Sequence, residues 1–131
     1  MRSPLFLNME VNTLTVNELL QNALALFAET DTSDADYQAL AIFHTNMVLA
    51  ETFEVNNRMR ERAGKEDLTE IPSVTALTDT IPYEDKLVRL ALPFGLAEKL
   101  YFDEDNDGRL SMFKQEYANR VEQCDRWVVA F

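Results

Sequence analysis

Residues 33–64 constrain this chain more than any other stretch. Ser33 is a helix-capping residue, Asp34 and Asp36 fall in the first turn after it, and Arg58, Arg60 and Arg62 fall in the last turn before Gly64. Acid at the start and base at the end complement a helix dipole, and glycine readily takes the left-handed backbone that closes a helix. The spacing predicts one helix over about 34–62, on the order of 40 Å long at 1.5 Å per residue. Tyr37, Leu40, Ala41, His44, Met47, Val48 and Val55 trace one face of it, and Phe43, Ala50 and Phe53 trace a second. A helix apolar on two sides is expected to pack against two neighbours.

The other elements are read around this spine. Thr15 and Glu18 in "TVNE" stand at capping-box spacing, so a first helix is expected over about 16–28, with Leu19, Leu20, Ala23, Leu24 and Phe27 inward. Pro82 fits the first turn of a third helix, where its missing N–H costs nothing. Pro93 and Gly95 lie farther on, so 82–102 is expected to be one kinked helix or two short ones. Leu110, Phe113, Tyr117, Val121, Cys124 and Val128 recur at helical spacing, which predicts a last helix over about 109–126.

Composition agrees. One domain fits 131 residues, a 47% hydrophobic share fills one core, and three Gly and four Pro are too few for a β-sandwich or barrel. The expected fold is all-α: a bundle of about four helices with one long central helix. The net charge of −11 repels nucleic acid and anionic lipid. A single Cys and no apolar run near the ~20 residues of a membrane span point to a soluble protein of a reducing cytoplasm.

Three segments fall outside the helical pattern. In residues 1–14, Leu5, Leu7, Met9 and Val11 alternate with polar residues, which reads either as an arm that pairs with a partner or as a frayed terminus. Residues 64–81 lose the helical period yet carry Leu68, Ile71, Val74, Leu77 and Ile81. A connection this long is usually functional or disordered, and its regular aliphatics favour an ordered loop lying on a surface, the protein's own or a neighbour's. Since a four-helix core of this size has no evident place for them, Leu68, Ile71, Val74 and Leu77 are expected to contact a neighbour. The end, Trp127, Val128, Val129 and Phe131, is apolar where a solvated tail is polar, and is expected either to fold back on the core or to anchor a partner. The organisation is therefore an arm (1–14), a helical domain (15–126) and an apolar tail (127–131).

The stretch "DEDNDGRLSMFK" puts Asp103, Asp105, Asp107 and Gly108 at places one, three, five and six of an EF-hand calcium loop. Place twelve needs a bidentate Glu, and Lys114 stands there. The aspartates are then read as acid at the start of the last helix; they remain weak metal candidates, and no metal or other cofactor is expected. His44, the one histidine, lies on an apolar helix face as a core or interface group, and Cys124 is expected to be a buried structural thiol. No Gly-rich phosphate loop, HExxH, GxSxG or CxxC occurs, and no enzyme is expected.

In order, "LTVNELLQNAL", "VLAETFEVNNRMRE", "IP" at Ile81-Pro82, "LPFGLA" at Leu92 to Ala97, the acidic gap Asp103 to Asp107, and Gln115, Tyr117 and Val121 resemble the small helical head–tail connector (adaptor) proteins of tailed phages. The likeness covers about residues 13–126 and lies in order and spacing rather than in chemically specific motifs. The segment before Thr13 departs from the family, and Met9 is an alternative start. The resemblance implies a structural virion protein of the neck, assembled in the bacterial cytoplasm. It implies a homo-oligomeric ring, usually a dodecamer, below the portal protein, docking stopper or tail proteins. DNA would slide through its acidic channel without specific binding. The competing reading is a small acidic helical interaction or regulatory protein with a degenerate EF-hand-like loop.

Overall fold

The computed structural model describes residues 13–28, 35–101 and 107–126. The chain is all-α over these residues, with α1 at Val16–Ala25, α2 at Ala35–Arg62, α3 at Asp85–Leu90, α4 at Leu92–Leu100 and α5 at Asp107–Arg126. The expected capping box opens α1: the Glu18 N–H donates to the Thr15 hydroxyl at 3.2 Å and the Thr15 N–H to the Glu18 carboxylate at 3.0 Å. Val16, Leu19, Leu20, Ala23 and Leu24 are its buried face. The helix stops at Ala25, short of the expected Ala28, because residues 26–28 turn and Ala28 takes a left-handed backbone with φ of 62°.

Helix α2 is 28 residues long, about 42 Å at 1.5 Å per residue. Gly64 closes it with φ of 79°; the Lys65 N–H donates to the Arg60 carbonyl and the Gly64 N–H to the Glu61 carbonyl, the two bonds of a Schellman motif. Its buried stripe is Ala41, Thr45, Val48, Leu49, Thr52, Val55, Asn56 and Met59. Leu40 and Met47, expected on the core face, are 44% and 43% exposed. At 3.6 residues per turn the buried stripe passes through positions 41, 48, 52 and 59, which rotates 40 and 47 toward the outside.

Pro82 does not start a helix. The Ile81 N–H is taken by the Leu14 carbonyl and the Glu84 N–H by the Asn56 side chain at 2.8 Å, which holds residues 81–84 out of the helix, and Glu84, with extended backbone, is the N-cap of α3. The expected break does occur. Pro93 sits in the first turn of α4, and Ala91, with φ of −106°, joins the two short helices. Helix α4 is almost wholly buried through Leu92, Pro93, Gly95, Leu96, Ala97 and Leu100, and it packs against all four other helices. Helix α5 begins at Asp107, two residues before the expected start, and buries Phe113 and Cys124. Each large apolar side chain enclosed this way contributes roughly 1.5–3 kcal/mol. At one end Phe27, Tyr101 and Phe113 stack, with ring centroids 5.2 to 6.1 Å apart.

Candidate functional site

The 65–81 connection is a strap lying along α2, fixed by two asparagine side chains. Asn46 accepts the Val74 N–H at 2.7 Å and donates to the Val74 carbonyl at 3.0 Å. Asn57 does the same with Leu68, at 2.8 and 3.1 Å. The two asparagines are eleven positions apart, about three turns, so they share one side of α2. Each amide presents a donor and an acceptor together and so mimics a β-bridge partner. The far end of the strap is held to the start of α1 by Ile81 N–H to Leu14, Val16 N–H to Asp79 and Asn17 N–H to Leu77, with an antiparallel bridge between Thr15 and Thr80. A turn inside it is closed by the Asp79 carboxylate, which accepts the Thr75 and Ala76 N–H groups at 2.8 and 3.1 Å. Those donors hold its pKa below the ordinary carboxylate value.

This geometry corrects the expectation that the strap aliphatics face a neighbour. Val74 is 3% exposed, and Leu68 and Leu77 are half-buried against the protein's own core. The reason is the clamps: a loop pinned at residues 68 and 74 must lay those side chains on the helix beneath. Ile71, midway between the clamps, is 50% exposed, and it alone among the four stands out as expected. The asparagines were not singled out as functional residues, although two amides three turns apart at the edge of an apolar stripe are a readable signal.

A second apolar surface runs down the side of α2 opposite the core. Leu40, Phe43 (60% exposed) and Met47 follow one another at helical spacing, with exposed Ala50 one turn on. Phe53, assigned with Phe43 and Ala50 to a second face, is half-buried against the core. Beyond Ala50 the same side turns acidic, with exposed Glu54 and Glu61, and the strap beside it carries exposed Glu66, Asp67 and Glu70. Asp67, beside Glu61, pushes the Glu61 carboxyl above its ordinary value, since each acid disfavours the other's charge. Met112, on α5, adds an exposed apolar residue on a third element.

Between α2 and α5 lies an open cleft of about 360 Å³ lined by Glu51, Thr52, Tyr117, Ala118, Val121 and Glu122. Its polar groups are engaged. Tyr117 donates to the Glu51 carboxylate at 2.8 Å, Lys99 donates to the same oxygen at 2.9 Å, and the Thr52 hydroxyl donates to the Val48 carbonyl at 2.7 Å. Burial and the Glu51 charge raise the Tyr117 pKa far above that of free tyrosine, so the phenol stays a neutral donor. Cys124 is buried, and burial raises its thiol pKa; it packs as a thiol and is poorly suited to nucleophilic attack. His44 is half-buried and held neutral by burial and by Lys99, with its Nδ1 unpartnered.

Of the acidic-loop candidates, Asp103 and Asp105 lie outside the described residues, and Asp107 contributes the backbone that opens α5. The tail residues Trp127, Val128, Val129 and Phe131, and all of residues 1–12, also lie outside them. Among the described residues no three His, Cys, Asp or Glu side chains converge to hold a metal ion, and no helix is long and apolar enough to cross a membrane. Compared with known proteins, the chain matches no family model, no curated protein and no solved structure.

Proposed function

We propose that the chain is a structural virion protein, a head–tail connector subunit that forms a ring below a portal protein, extends the DNA channel and docks stopper or tail proteins. The reading takes its direction from the family likeness of residues 13–126. The observation that carries it is the placement of half-exposed apolar residues on three separate elements: the outer side of α2, the strap at Ile71, and α5 at Met112. A monomer gains nothing by holding these in water. A ring subunit has two different neighbours, and a head-to-tail contact needs two different patches on each copy. In this reading Ile71 and Met112 serve the ring contacts, and the α2 side is left for a docking protein. The net charge of −11, repeated round a ring, lines a channel that lets DNA phosphates pass without holding them.

The test is co-expression with the neighbouring portal gene product, followed by native mass spectrometry. A ring of many copies bound to portal is expected, and Ile71→Asp should leave helicity intact while blocking the ring. Val74→Asp cannot serve beside it, because Val74 is core. A chain that remains a monomer and does not copurify with portal would remove the connector reading.

A further inference from the structure

We infer that the outer side of α2 is a docking site for a basic amphipathic helix of another protein, apolar in its N-terminal half and rich in Lys or Arg in its C-terminal half. The inference deepens the docking role proposed above. The surface has two chemical zones in line. Leu40, Phe43, Met47 and Ala50 form an uncharged stretch, and Glu54 and Glu61, with Asp67 and Glu70 on the adjoining strap, form an acidic one. From Leu40 to Glu61 the strip runs roughly 31 Å at 1.5 Å per residue, the length of a five- to six-turn partner helix laid along it.

Charge decides the occupant. The cations nearest the acidic zone are already committed: Arg58 and Arg62 to Asp125 on α5, Arg60 and Lys65 to Glu84. Arg58 also attracts Glu54 and Glu61, and Arg62 attracts Glu61, but both guanidinium groups are held by Asp125, so the four carboxylates of the strip outnumber the cations that face them among the described residues. A second copy laid parallel on the same strip would set acid against acid, and one laid antiparallel would put the acidic zone against the apolar one or leave it uncovered; an anionic membrane would be repelled. A helix whose cations lie near its own C-terminus is favoured by its dipole. Laid parallel to α2, it brings those cations over Glu54 and Glu61 and its apolar residues over Phe43 and Met47.

The experiment uses the full chain without portal, so that its failure and a failure of ring assembly are separate results. The probe is a synthetic peptide of about five turns, with Leu at i, i+3, i+4 and i+7 in its first half and Lys in its second. It is titrated calorimetrically against a scrambled peptide of the same composition. Binding that weakens with salt is expected for the patterned peptide, with the scrambled one weaker by about tenfold or more. Phe43→Ser with Met47→Ser, and separately Glu54→Lys with Glu61→Lys, should each weaken binding about tenfold while leaving the thermal transition in place, since these side chains are outside the core. Equal binding of the scrambled peptide, or wild-type binding by both variants, overturns the inference. So does a dimer of the free chain that dissociates on Phe43→Ser, which would assign the strip to a second copy.

Discussion

The side chain of Asn46 and the backbone of Val74 bind each other twice, at 2.7 and 3.0 Å, across 28 positions of sequence. With the matching pair of Asn57 and Leu68, this turns a long connection into a fixed strap. Asn46→Ala would leave a half-buried donor and acceptor on Val74 unpaired, at a cost of about 1–3 kcal/mol. Urea unfolding should show that loss, and limited proteolysis should find new cleavage within residues 65–76. If the strap stays protected in the Asn46→Ala, Asn57→Ala double variant, the clamps are not what holds it.

A second prediction concerns Gly95. A methyl group there would sit 2.6 Å from the Tyr117 ring, and that ring is fixed by its bond to Glu51. Gly95→Ala should therefore destabilise the fold by about 1–3 kcal/mol through overpacking. In a Tyr117→Leu background the cost of the same change should fall, and a double-mutant cycle of melting curves reads the coupling directly. Additive effects would show that α4 and α5 can shift apart freely.

Ala28 offers a stabilising change. Its φ of 62° costs an L-residue about 1 kcal/mol relative to glycine, and the residue is exposed, so Ala28→Gly loses little packing. A higher urea midpoint with an unchanged slope is expected; a lower midpoint would mean that added freedom in the unfolded chain outweighs the relief.

The strap turn also gives a pH signature. Asp79 has its pKa depressed by the Thr75 and Ala76 N–H groups, and Asp125 by its hydrogen bond to Arg58. A carboxylate with a depressed folded pKa contributes stability that is complete above its ordinary value of 3.8 and is lost as pH falls through the folded value. Stability measured from pH 5 downward should fall less steeply in Asp79→Asn than in the wild type. Identical slopes would exclude Asp79 as a contributor.

Much of this architecture was legible in residue order. Thr15 with Glu18, Gly64 after three arginines, and Pro93 within an apolar run each have one dominant local outcome, and each took it. What escaped was decided by partners distant in sequence. Pro82 has the chemistry of a first-turn residue, yet Leu14 and Asn56 take the N–H groups of Ile81 and Glu84 and keep the segment out of the helix. Leu68 and Val74 lack helical period and read in the sequence as contacts to a neighbour, because the amides that bury them on the protein's own helix belong to Asn57 and Asn46. Leu40 and Met47 read as inward in the sequence, because a helix apolar on two sides leaves the direction of its core undetermined until its neighbours are in place. The apolar tail, and Asp103 and Asp105 of the EF-hand-like stretch, lie outside the described residues.

The bonds of Leu14, Val16 and Asn17 to the far end of the strap also set a load path. Tension applied at Thr13 meets those three bonds where Leu14 and Val16 enter the apolar core. It then passes along the strap to the Asn46 and Asn57 clamps, and through them into the length of α2. The entry to α1 is thereby moored, by way of residue 81 and the strap, to the longest helix of the molecule, and a pull at Thr13 is resisted by α2 as well as by α1.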